Sequence, residues 1–190
     1  MQKNTHYFWA ISLSEDVKKT MFMEFEKIKG YFPFKRWVHE LDYHITLTFL
    51  GSAQEEKLEV AMKLMGDVVK DVKAFPLELQ GINVFGNREA PRIFWTSVKQ
   101  ENQLFELQKQ VYEVCSEVGF TLESRSYLPH ITIARNWNGE EKFERDWLTM
   151  YNPFKYIPIS FIADEVVLYK TNIEKTPKYE AIATYKLLDE

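Results

Sequence analysis

The sequence predicts a mixed helix-and-strand fold in which two similar units face each other across a cleft. Two observations predict it. The hexapeptides His44-Ile45-Thr46-Leu47-Thr48-Phe49 and His130-Ile131-Thr132-Ile133-Ala134-Arg135 both read His-x-Thr-x in strand alternation, 86 positions apart. The dipeptides Phe8-Trp9 and Phe94-Trp95 share that 86-residue offset, and in each case a helix-like stretch follows, then the histidine 36 residues on. Strand, helix and motif strand recurring in one order read as a duplicated unit. Such units pack naturally about a pseudo-two-fold axis, with equivalent residues opposed. The 190 residues are expected to form one domain, 1–190, with equivalent units at about 7–51 and 93–136.

The elements follow in order. Residues 7–13 are aromatic and β-branched, as a buried strand requires. Ser14 is placed to cap a helix whose first turn holds Glu15 and Asp16, and whose apolar positions Val17, Met21, Phe22, Phe25 and Ile28 recur at helical spacing up to Gly30. Residues 35–38 read as a short extended segment and 44–50 as the first motif strand, closed by Gly51. Ser52-x-x-Glu55 is a capping-box pattern that opens a helix through about Val72. Residues 76–85 and 92–98 read as a hairpin around the loop at 86–91. Leu104, Leu107, Val111, Val114 and Val118 mark a helix ended by Gly119. The second motif strand covers 130–135, with a turn at 136–139. Phe143, Trp147, Leu148 and Tyr151 suggest a short helix, and 153–169 and 178–188 read as strands.

Composition narrows the function. A 45% hydrophobic chain with 15% aromatics supports a sizeable core. Its formal charge of −4 argues against a broad nucleic-acid-coating surface, though not against a small basic pocket. The single cysteine, Cys115, lies near an apolar stripe and reads as a buried, inert thiol. With no apolar run near ~20 residues and no signal-like start, a cytoplasmic monomer is the expectation.

In a strand, positions i and i+2 share a face, so each hexapeptide offers one imidazole and one hydroxyl to the same side. A lone strand histidine is ordinarily structural. Two of only four histidines in equivalent places point instead to catalysis. Imidazole titrates near neutrality, so one copy can take a proton from an attacking oxygen while the other gives one to a leaving oxygen, as displacement at phosphorus needs. Thr46 and Thr132 stand where phosphoryl oxygens want donors. Two histidines are too few for a closed zinc site, and no metal or other cofactor is expected. Arg135 has the planar fork that clamps an oxyanion, but in a regular strand i+5 faces away from i and i+2. It reaches the cleft only if the strand bulges or ends before it. Arg92, Arg125, Lys35 and Arg36 could touch substrate but read first as solvated charges. Tyr43 and Tyr127 could stack a base but read first as core or rim packing, and His6 and His39 as peripheral.

At these residues the chain resembles the 2H phosphoesterase superfamily, named for paired His-x-Thr-x motifs. It is most similar to the RNA 2',3'-cyclic phosphodiesterases historically called 2'-5' RNA ligases. Arg36-Trp37-Val38, both motifs, Phe8-Trp9-Ala10-Ile11 and Pro91-Arg92-Ile93-Phe94-Trp95 carry the likeness; His6-Tyr7 departs from it where a basic residue is usual. The resemblance implies an α+β, bilobal 2H-phosphoesterase-like fold: two pseudo-two-fold related lobes of mainly antiparallel sheet, outer helices and a central cleft. It implies His44 as proton donor to the leaving ribose oxygen and His130 as proton acceptor from water. Thr46, Thr132 and Arg135 would hold the phosphate. The implied substrates are RNA 3' ends or small cyclic nucleotides, opened to a 2'-phosphomonoester without metal. The alternatives are a nucleotide- or phosphate-binding module without turnover, and a phosphodiesterase for another cyclic or 2'-5' linkage.

Overall fold

The computed structural model describes residues 5–189. Nine strands and four α-helices follow in the order β1 (Tyr7–Ser12), α1 (Glu15–Ile28), β2 (Phe34–Trp37), β3 (His44–Gly51), α2 (Glu55–Val69), β4 (Phe75–Gly86), β5 (Pro91–Val98), α3 (Asn102–Glu117), β6 (His130–Trp137), α4 (Trp147–Met150), β7 (Ser160–Ala163), β8 (Glu165–Thr171) and β9 (Tyr179–Lys186). They build two antiparallel sheets, β3-β1-β8-β9 and β2-β6-β5-β4-β7. The α+β class with mainly antiparallel sheet is therefore as expected. The motif strands lie in different sheets and meet across the space between them.

Ser14 caps α1 through the Val17 amide, at 3.4 Å. The helix turns Met21 and Phe25 inward, as the pattern requires, but Phe22, next to Met21 on the helix, faces outward and is exposed. Each half's first long helix packs on the other half's sheet. From α1, Phe25 meets the Phe94 ring of β5 edge-on at 6.1 Å. From α3, Gln108 donates to the Leu47 carbonyl of β3 at 3.3 Å, and Cys115 lies against Trp9 of β1. This crossing makes one continuous core, drawn from both sheets. Burial pushes the Cys115 thiol up to about 12, so it is inert, as its apolar stripe suggests.

Several expectations change. The Ser52–Glu55 capping box does not form: Gln54 is the N-cap, without a side-chain bond, so Glu55 is the first helical residue rather than the third. Helix α2 stops at Val69, and Val72 lies beyond its last turn. Residues 153–169 are not one strand. The chain leaves one sheet at Ala163 and enters the other at Glu165, so β7 and β8 pair with different partners. The proposed turn at 136–139 begins late, because β6 runs on through Trp137.

The two Phe-Trp pairs are not register equivalents. Trp9 pairs with Thr48, and Ala10 with Thr46. In the second half Phe94 pairs with Ala134, and Trp95 with Thr132. Trp9 thus corresponds to Phe94, and Ala10 to Trp95: the leading strands are offset by 85 residues, whereas the motif strands are offset by 86. The repeated dipeptide signals the right elements in a register shifted by one.

Candidate active site

Both motif strands carry an irregularity at the same place, and this determines the site. Against β1, β3 skips a partner between Thr48 and Thr46. Against β5, β6 skips one between Ala134 and Thr132. An extra residue on one strand reverses the alternation beyond it. Leu47 and Thr48 are consequently both buried, as are Ile133 and Ala134. Position i+5 then returns to the face of i and i+2. Arg135 lines the same cavity as His130 and Thr46, and so does its counterpart Phe49. The objection from strand parity is thereby answered by a bulge, not by strand termination. Asn136 follows with a φ of 62°, a left-handed conformation that asparagine tolerates better than most side chains.

The histidines are held alike. His44 Nδ1 lies 2.7 Å from the Asp42 carbonyl and His130 Nδ1 lies 2.8 Å from the Leu128 carbonyl, two residues upstream in each case. A carbonyl only accepts, so each Nδ1 carries the hydrogen and each neutral ring keeps Nε2 as the acceptor. His44 Nε2 meets the Thr46 hydroxyl at 3.1 Å. Thr132 is opposite Trp95, on the His130 face of β6.

Aromatic walls fix both rings. His44 lies 4.7 Å from Phe8, 5.1 Å from Tyr179 and 6.0 Å from Tyr169, centroid to centroid. His130 stands edge-on to Phe85 at 5.2 Å and Trp95 at 5.6 Å. Behind His44, the buried Asp42 carboxylate accepts from the Lys178 amide at 3.0 and 3.1 Å and the Tyr179 amide at 3.0 Å. It thereby ties the β8–β9 connection, and with it Tyr179, to the His44 ring. Buried Lys18 donates to the neighbouring Leu41 carbonyl at 3.1 Å.

Burial lowers the His44 pKa to about 4, helped by the positive charges of Lys18, His130 and Arg135 and opposed by its bond to Asp42. Burial lowers His130 too, with Arg135 adding to the effect. Folding thus selects neutral imidazoles. The stability this contributes is present above pH 6.5 and lost as pH falls toward 4, where the unfolded chain takes up the protons. The melting temperature is expected to fall across that window, and less steeply for His44→Gln. A variant whose profile tracks the parent's would contradict this.

Of the other sequence candidates, Arg36 lies directly across from Arg135 in the β2–β6 ladder. Like charges opposite one another destabilise a ladder unless an anion joins them. Tyr43 is core. Tyr127 lines the cavity and packs edge-on to Phe105. Arg125 also lines it, whereas His39 accepts from the Leu41 amide in a short turn and His6 meets the rim at Phe49. Phe49, Phe85, Asp42, Tyr169 and Tyr179 had no sequence reading as site residues. Phe49 alone had a local signal, since it stands where Arg135 stands in the other copy.

The 2'-5' RNA ligase superfamily model matches residues 19–173. The chain belongs to the 2'-5' RNA ligase superfamily. Among relatives in it, an RNA 2',3'-cyclic phosphodiesterase of Geobacillus stearothermophilus is 44% identical over 98% of this chain; the chain spans 58% of that protein's length. One of Bacillus subtilis is 31% identical over 96% of each chain. The same fold is seen in E. coli LigT complexed with 3'-AMP (TM-score 0.79, 20% identity, 97% of this chain and 99% of that one) and in TT0787 of Thermus thermophilus (TM-score 0.75, 21% identity, 97% and 99%).

Proposed function

We propose that this chain hydrolyses terminal ribonucleoside 2',3'-cyclic phosphates to 2'-phosphomonoesters by paired-histidine acid–base catalysis, without a metal. The observation that carries the reading is the matched pair of imidazoles, each with Nδ1 tied to a carbonyl: His130 lines one cavity with Thr46 and Arg135, and His44 stands behind Thr46, whose hydroxyl its Nε2 meets. The names of the superfamily relatives support the substrate class.

In this reading His130 Nε2 takes a proton from water as its oxygen attacks phosphorus. The P–O3' bond breaks, the P–O2' bond stays, and His44 Nε2 gives its proton to the 3'-oxygen. His44 then ends neutral and His130 charged, and exchange with solvent resets both. Thr46, Thr132 and the Arg135 fork hold the phosphoryl oxygens. The donor role asks His44 to be charged, although it is the more depressed ring. A phosphate anion beside Arg135 offsets the repulsion from that guanidinium. The burial that penalises a lone imidazolium also strengthens its attraction to the anion. Phe49, 51% exposed and lining the cavity, offers a face to the base.

The test is incubation with 2',3'-cyclic AMP and cyclic-ended oligoribonucleotides in EDTA, with the product isomer read by phosphorus NMR. The 2'-phosphate at an undiminished rate is expected. No product, a 3'-phosphate, or loss of activity with the chelator would overturn the proposal.

A further inference from the structure

Each motif histidine gives its Nδ1 hydrogen to the carbonyl two residues upstream, and those two residues occupy equivalent places 86 positions apart. They are not alike. Leu128, behind His130, is 51% exposed and has an aliphatic side chain, so only its backbone holds the ring. Asp42, behind His44, is 3% exposed and holds with two arms. Its carbonyl takes Nδ1 at 2.7 Å. Its carboxylate takes the Lys178 amide at 3.0 and 3.1 Å and the Tyr179 amide at 3.0 Å, where β9 begins. The Tyr179 ring stands edge-on to His44, with 5.1 Å between centroids and 90° between planes. Asp42 thus ties the imidazole directly and also sets the wall against it, from a strand that β1 and β8 separate from β3 in the sheet.

Resting on the function proposed above, we infer that Asp42 is a positioning residue for the proton donor: it acts through His44 and Tyr179, not on the substrate. The asymmetry between the halves fits the asymmetry of the reaction. An attacking water is free to move to the acceptor, so His130 tolerates a single tie. The leaving 3'-oxygen is fixed to the ribose, so the donor's Nε2 must be brought to it, and a misplacement of about 1 Å costs about 10²-fold. A carboxylate suits the task because its two oxygens accept both amides in a buried place, where an unmade bond is costly. An asparagine there would offer one accepting oxygen and turn donors toward a donor.

The test compares a 2',3'-cyclic ribonucleotide with its analogue carrying sulfur at the leaving 3' position, which departs as a thiolate and needs no donor. Asp42→Asn is expected to lower kcat on the oxygen substrate by about ten- to a hundredfold, with KM little changed, and to keep most of the parental rate on the sulfur one. A merely structural role would lower both rates alike. That result would overturn the inference, as would a parental kcat on the oxygen substrate. Tyr179→Leu, at a half-buried position, should show the same split in milder form, and Tyr179→Phe, which keeps the ring, should recover the loss. If circular dichroism shows that Asp42→Asn does not fold, these two decide: equal losses on both substrates in Tyr179→Leu, or none, would overturn the inference. His44→Ala measured alongside separates the two levels. If sulfur rescues His44→Ala but not Asp42→Asn, the inference alone fails; if it rescues neither, the reaction proposed above fails with it.

Discussion

His130→Ala and His44→Ala are each expected to lower kcat on a 2',3'-cyclic ribonucleotide by about 10²–10⁴-fold, the usual worth of a positioned acid or base. The effect follows from geometry. Each Nδ1 is committed to a carbonyl, so each ring works through Nε2 alone, and alanine removes it. Because the two rings act on one proton inventory, the double variant should be little worse than the worse single one. Circular dichroism should remain native, since both histidines are only partly buried and the walls around them belong to other residues. Parental rates in either variant would contradict the account.

Arg135→Ala is expected to cost about 10²–10³ in kcat, comparable to removing one donor from an oxyanion site. It should also raise the pKa of both imidazoles, because Arg135's charge lowers each of them. The rate profile therefore moves toward higher pH as the rate falls. Arg135→Lys keeps the charge but loses the two-point fork, so it should preserve the parental profile and recover only part of the rate. A loss of rate with no movement of the profile would show that Arg135 acts at a distance from the rings.

The parts of this site legible in the sequence were those carried by local pattern. Two His-x-Thr segments in strand alternation specified which strands face the cleft and which side chains share a face. Arg135 was uncertain for the right reason: strand alternation excludes it, and the bulge that restores it arises from pairing with β5, a strand some forty residues upstream. The same irregularity hid Phe49. The Phe-Trp repeat shows the opposite error, a local coincidence with correct elements and shifted register. Asp42 carried no sequence signal, because its partners are the amides of Lys178 and Tyr179, 136 and 137 positions away. The crossed packing of α1 and α3 is likewise non-local. Amphipathic spacing identifies a helix's buried face but not the sheet that covers it.

The central claim is a division of labour between two similarly held imidazoles. It is tested most directly with a 2',3'-cyclic substrate in which sulfur replaces the leaving 3'-oxygen. A thiolate leaves without a proton, so the donor becomes dispensable while the acceptor does not. The account predicts that His44→Ala recovers most of its lost rate on this substrate and that His130→Ala does not. Rescue of His130→Ala alone would reverse the assigned roles, and rescue of neither would contradict acid–base catalysis by this pair.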